Sequence, residues 1–274
     1  MSETLGHQAK TPPRPARACR SKTACLLMHG YAGSPFEMEP LVPGLEGLGC
    51  DVDLPTLPGH DTSINDFRQT FFPDWLGHIR ERLLILQECH DQVILIGFSM
   101  GGAIALSLAA EHAPAAAVAL SPPWQAYRLF PLKRHSWLAL TPLLKYFRPE
   151  IPLPPPKPES RAIAPFKGYD GPLCLPQLHS LEQGVRAMRG LLPKLACPLL
   201  MLYDLNDRVC PPDFALSIAR ATSSQDICMR MTRMRETVTS HHMITTHRDT
   251  RQIVIAEVNR FVRSIQEKGT TLPL

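Results

Sequence analysis

The chain has no apolar run near the 18 or more residues needed to cross a bilayer. Its opening residues, MSETLGHQAKTPPRPARACR, carry charges and prolines where an export signal would need an apolar centre. These absences set the expectation of a cytoplasmic protein without stable membrane insertion. Cysteine is dispersed: Cys19, Cys25, Cys50, Cys89, Cys174, Cys197, Cys210 and Cys228 form no C-x-x-C pair and no zinc-like spacing. Reduced, mostly buried thiols are expected, with no metal and no cofactor. Charge of one sign is also scarce. The net charge is only +4, and much of it sits before residue 23, where Lys10, Arg14, Arg17, Arg20 and Lys22 face Glu3 alone. Residues 1–22 therefore read as a disordered, basic, proline-rich tail. No basic face interleaved with aromatics accompanies it, which argues against a nucleic-acid partner.

What is present suits one large α/β domain: 274 residues, 44% of them hydrophobic. Short apolar runs at 24–28, 52–54, 93–96, 115–120, 198–203 and 227–235 read as strands. Between them lie helical patterns at 74–88, from 103 onward, at 213–220 and at 250–265, the last with Ile253, Val254, Ile255, Val258, Phe261 and Val262 predicted inward. Ser34, Pro35 and Glu37 read as a capping box that opens a helix shortened or kinked by Pro40 and Pro43. The alternation predicts a mostly parallel central sheet with helices on both faces. Residues 124–190 break the rhythm. Trp137, Leu138, Leu140, Leu143, Leu144 and Phe147 suggest a helix, IPLPPPKP is stiff and extended, and a second helical run centres on 181–192. This segment is expected to be a cap inserted into a core made of 23–123 and 191–268.

The most informative stretch is QVILIGFSMGGAIALSL, residues 92–108. It reads as strand, sharp turn and helix, with Ser99 at the turn inside Gly97-Phe98-Ser99-Met100-Gly101. That is the G-x-S-x-G pattern, in which a strained backbone lifts a nucleophilic hydroxyl above the strand end. In a parallel sheet all strands finish on one edge, so residues just past their carboxyl ends converge. Asp204 and Asp207 follow one strand, His241 and His242 another. Serine, acid and histidine thus occur in the chain order of a hydrolytic triad. A zinc site built from His241, His242 and His247 lacks acidic or cysteine partners on a fixed element.

The runs LLMHGYAGSPFEMEPL, LPGHDTS, GFSMGG, YDLNDRVCPP and SHHMITTHRD together resemble the bacterial carboxylesterase and monoacylglycerol lipase branch of the α/β-hydrolases. The resemblance covers the core, about residues 24 to 265. It implies the α/β-hydrolase fold, with Asp207 as the acid, since it precedes a valine-proline-like turn, in place of Asp204. It puts the catalytic histidine at His242 and turns His241 elsewhere. His247 is expected at the surface, and His29 and His60 as loop-shaping groups.

Ester cleavage then assigns the roles. His242 takes the proton of Ser99, and Asp207 orients the imidazole. The Met100 amide supplies one oxyanion donor from the elbow. The resemblance implies the Tyr31 amide as the second. The expected substrate is a small-molecule ester with an apolar acyl group of short to medium length, monoacylglycerols included. An acyl thioesterase with the same triad is the nearest alternative; a catalytically silent scaffold acting as a binding protein is the other. Epoxide hydrolases and dehalogenases would need aspartate at the elbow, where this chain has Ser99.

Overall fold

The computed structural model describes residues 21–126 and 141–270. Most of the basic tail, and Trp137, Leu138 and Leu140, lie outside the described residues. Six parallel strands form the central sheet: β1 (Thr23–Met28), β2 (Asp51–Asp53), β3 (Gln92–Phe98), β4 (Ala116–Leu120) and, after the break in rhythm, Leu199–Asp204 and Ile227–Thr232. A short antiparallel pair, β5 (Glu150–Ile151) with β6 (Leu173–Cys174), stands apart from it, so the last two core strands are β7 and β8. The sheet order is β2-β1-β3-β4-β7-β8. The chain moves outward from β1 to β2 and then returns to lay β3 on the other side of β1. That reversal is where a parallel sheet opens a crevice at its carboxyl edge.

Strand residues alternate between two cores. Ala24, Leu26 and Met28 of β1 join Val93 and Leu95 of β3 on one face, while Cys25 and Leu27 join Ile94, Ile96 and Phe98 on the other. Because both faces are apolar, helices cover both. The first face receives α3 (Phe72–Cys89) and α4 (Met100–His112). The second receives α1 (Val42–Gly47) and the C-terminal α9 (Arg251–Thr270). Among the described residues no helix is long and apolar enough to cross a membrane.

The predicted capping box at Ser34 does not form. Ser34 makes no side-chain cap, and residues 35–41 turn through two short 3-10 segments into α1. The Glu37 carboxyl reaches instead to the Gly30 amide, a partner seven residues back that no helical spacing announces. A capping box does open α2 (Ile64–Arg68), where Ser63 and Asp66 bond reciprocally. Ile253, expected inward, is 49% exposed at the start of α9, while Val254, Val258 and Val262 carry the buried stripe. Of the insertion, α5 (Thr141–Phe147) leaves Leu143 and Phe147 exposed, α6 (Pro158–Ile163) follows the extended prolines, and α7 (Leu175–Leu191) buries Leu178, Leu181, Val185 and Met188 in the first core. One further helix, α8 (Asp213–Ala221), links β7 to β8.

Candidate active site

Strand β3 ends one residue before Ser99, and α4 begins one residue after it. So abrupt a turn requires bare backbone: a Cβ on Gly101 would stand 2.3 Å from the Met28 carbonyl oxygen. Ser99 itself takes φ 52° and ψ −117°, a conformation that strains any residue with a side chain. It is held at both ends, its N–H donating to Leu120 O at 2.8 Å and its carbonyl accepting from Ala103 N at 3.2 Å.

The acid and the histidine come to this serine from the loops that follow β7 and β8, past the intervening β4. His242 Nε2 lies 2.9 Å from Ser99 Oγ, and its Nδ1 lies 2.8 Å from Asp207 Oδ2. The other Asp207 oxygen, Oδ1, accepts from the amides of Val209 and Cys210 at 2.8 and 2.9 Å. With Asp207 as acceptor only, Nδ1 carries the imidazole proton and Nε2 offers its lone pair to the serine hydroxyl. The Phe98 ring backs the imidazole, centroids 5.0 Å apart. The two loops are stapled together as well: Arg208 N donates to Ser240 O at 3.0 Å, and the Arg208 guanidinium donates to Thr239 O.

The other candidates are placed elsewhere. Asp204 is buried and spends its oxygens on Asn206 N, Thr232 Oγ1 and Met234 N, closing the end of β7 onto β8. His241 turns away from Ser99 with φ 61°, its Nε2 2.6 Å from Glu236 O. His247, expected at the surface, is fully buried; its Nε2 lies 3.3 Å from Glu236 Oε1 and its Nδ1 accepts from Asp249 N. His241 Nε2 also lies 3.1 Å from Glu236 Oε1, so histidines 241 and 247 share one carboxylate while His242 faces the serine, and the three do not converge on a common point. Burial alone would raise the Glu236 pKa, but bonds from Thr239 and Val238 and the charge of His241 hold it down to about 2.

Beyond β1 the chain forms the loop His29-Gly30-Tyr31. Because Met28 pairs with Gly97 and the first turn of α4 runs against Met28 and His29, this loop abuts the turn that carries Met100. His29 and His60 shape it, as expected. His29 Nε2 accepts from Leu57 N, so its Nδ1 holds the proton and donates to Gly30 O at 3.0 Å. His60 Nε2 accepts from Ala32 N, and its Nδ1 donates to Pro58 O. Burial pushes both pKa values down, His29 to about 3 and His60 to about 4, with the facing His60 adding to the effect on His29. Residues between β4 and β7 bond to the same loop, Tyr169 N to Ala32 O at 2.9 Å and Tyr31 Oη to Cys174 O at 3.1 Å.

Sequence reasoning missed two residues here. Glu37, buried beneath Gly30 and Gly33, is legible in the sequence only as a helix cap, and Phe98 only as the variable position between Gly97 and Ser99.

Comparison with known proteins agrees with this architecture. A thermostable monoacylglycerol lipase of Bacillus sp. (strain H-257) is 28% identical over 238 residues, spanning 87% of this chain and 90% of that protein. A structure from work on the metagenome-derived lipolytic enzymes LipS and LipT superposes with a TM-score of 0.76 at 22% identity, covering 90% of this chain and 96% of that one. The monoacylglycerol lipase of Paleococcus ferrophilus superposes with a TM-score of 0.71 at 19% identity, covering 88% and 94%. The sequence profile described as the Alpha/beta hydrolase family matches residues 25–250, and the chain belongs to that family.

Proposed function

We propose that the protein is a serine hydrolase that cleaves carboxylic esters of apolar acyl groups, monoacylglycerols among them, through an acyl-enzyme. The observation that carries this reading is the unbroken line Ser99 Oγ, His242 Nε2, His242 Nδ1, Asp207 Oδ2, with bonds of 2.9 and 2.8 Å. A serine hydroxyl is a weak nucleophile at neutral pH, so it needs a neutral imidazole at hydrogen-bonding distance. Ser99 Oγ attacks the ester carbonyl carbon as its proton passes to His242 Nε2, and Asp207 stabilises the imidazolium. The bond to the alkoxy oxygen then breaks, and the same proton leaves with the alcohol. Water repeats the sequence on the acyl-enzyme, releasing the acid and restoring Ser99.

Charge on the tetrahedral oxygen is met by the Met100 amide at the head of α4 and the Tyr31 amide on the adjoining loop. One such donor is worth about 3 to 4 kcal/mol. Residues 124–190 serve as the cap over this edge, a role supported by the bonds of Tyr169 and Cys174 to the loop of Tyr31. The similarity to a monoacylglycerol lipase over most of both chains supports oxygen esters as the substrate class.

The test is a chain-length series of p-nitrophenyl esters and monoacylglycerols, with matched acyl thioesters, on wild type and Ser99→Ala. An organophosphonate should label wild type at Ser99 and leave the variant unlabelled. Turnover peaking at short to medium acyl chains and lost in the variant is expected; retained turnover would mean another nucleophile.

A further inference from the structure

Gly30 is held at both ends. Its carbonyl accepts from His29 Nδ1 at 3.0 Å and from Gly33 N at 3.3 Å, and its own N–H donates to Glu37 Oε2 at 2.7 Å. In a trans peptide the following N–H points opposite the carbonyl, so fixing Gly30 fixes the direction of the Tyr31 amide. The carbonyl bonds orient that peptide and the Glu37 bond orients the one before it, so both planes flanking a residue with the widest backbone freedom are held. The carboxyl is built into place: a Cβ on Gly33 would stand 2.2 Å from Glu37 Oε1, and one on Gly30 3.1 Å from Oε2. A buried acid with no ion pair among the described residues costs stability, so packing alone does not explain it.

We propose that Glu37 is a positioning residue for the oxyanion-binding loop, holding the Gly30 amide so that the Tyr31 N–H faces the substrate carbonyl oxygen. This rests on the reading of Ser99 and Tyr31 above and adds a group that acts only through the loop. Burial pushes the Glu37 pKa up to about 8, against the pull of the Gly30 amide. The acid is therefore neutral at pH 7 and bonds through its carbonyl oxygen; its ionisation sets a negative charge beneath the loop where the oxyanion forms. The titratable groups that contacts tie to its surroundings are His29, which bonds the Gly30 carbonyl and faces His60, and His242, which lies across the Phe98 ring beside Gly30. None of them bonds the Glu37 carboxyl among the described residues.

The experiment compares full-length wild type, Glu37→Gln and Glu37→Ala. It reads kcat and KM for a p-nitrophenyl ester from about pH 6 to about pH 10, and the affinity of a trifluoromethyl ketone that adds to Ser99 as a hemiketal. Glu37→Ala should lower kcat on the order of 10²-fold with KM within about twofold, and ketone affinity should fall in parallel. Glu37→Gln should restore most of that loss and remove a fall in kcat near pH 8 that wild type shows. Ketone affinity in Glu37→Ala within about threefold of wild type would overturn the proposal. So would an alkaline limb unchanged in Glu37→Gln, and that measurement decides alone if Glu37→Ala fails to fold. Phosphonate labelling of wild-type Ser99 separates failure of this inference from failure of the esterase reading, since the labelling does not depend on Glu37.

Discussion

Gly97 and Gly101 approach so closely that a methyl group on Gly97 would stand 2.0 Å from the Gly101 carbonyl oxygen and 2.2 Å from its carbonyl carbon. Both contacts are with backbone, so no rotamer change relieves them. Gly97→Ala must separate β3 from α4, and Ser99 sits in the only residue between them. A displacement of about 1 Å at a reacting group costs on the order of 10²-fold. We expect that loss in kcat together with a stability loss of about 2 to 4 kcal/mol in urea denaturation. Phosphonate labelling at the wild-type rate would show that the elbow tolerates the methyl.

Asp207 is filled on one side by two amides and on the other by His242. An asparagine there would keep its carbonyl on the amides of Val209 and Cys210 and turn its NH₂ toward His242 Nδ1. The imidazole would then carry its proton on Nε2, where it cannot accept from Ser99. Asp207→Asn should therefore lower kcat by about 10⁴-fold with little change in fold. Asp204→Asn, by contrast, should act through stability, because Asp204 closes strand ends and does not face the imidazole. Comparable kcat losses with unchanged melting for both variants would mean that the acid is misassigned.

The loop histidines make stability depend on acid. His60 is neutral when folded down to about pH 4 and His29 down to about pH 3, whereas both take up protons below about 6.5 when unfolded. Over that window the unfolded chain binds more protons, so stability falls as pH falls. Urea denaturation of wild type between about pH 6.5 and pH 4 should show this slope, reduced by about one proton in His60→Asn. Equal slopes in the two proteins would place the acid sensitivity elsewhere.

Glu37 acts on the other side. Its folded pKa of about 8 lies above the ordinary 4.5, so between those values the folded state holds the proton and the unfolded chain does not. Stability should fall as pH rises through that window and level off above it. Wild type should lose more stability than Glu37→Gln between about pH 5 and pH 9, and parallel curves would contradict the buried ionisation.

The sheet and the elbow were legible because they depend on local facts. The continuous apolar runs of β1 and β3 and the spacing of Gly97, Ser99 and Gly101 are visible in a few consecutive residues. Chain order and strand-end logic led to two acids and two histidines, and the family resemblance selected Asp207 and His242, the pair that now lies beside Ser99. What escaped depends on partners remote from the helical or strand period. Glu37 fits a capping box equally well on paper, but its carboxyl finds a desolvated amide on a loop. For His247 the sequence predicts exposure, because nothing nearby in it announces that Glu236 will receive the ring.

That carboxylate supports the final prediction. Glu236 accepts from Val238 N, Thr239 N and Thr239 Oγ1, and lies 3.1 Å from His241 Nε2 and 3.3 Å from His247 Nε2. It therefore anchors the loop on which His242 rides while standing outside the line to Ser99. Its folded pKa of about 2 lies below the ordinary 4.5, so its contribution is present above about pH 4.5 and is lost as pH falls toward 2. Glu236→Gln keeps one acceptor oxygen but loses the charge that both histidines face, a loss of about 1 to 3 kcal/mol. The variant should melt lower at pH 7 and converge with wild type toward pH 2 to 3, if both still fold there. Its kcat should drop several-fold through looser placement of the imidazole, with KM nearly constant. A lower melting temperature with kcat unchanged would limit Glu236 to holding the fold, because only a shift of the His242 loop can carry its effect to Ser99.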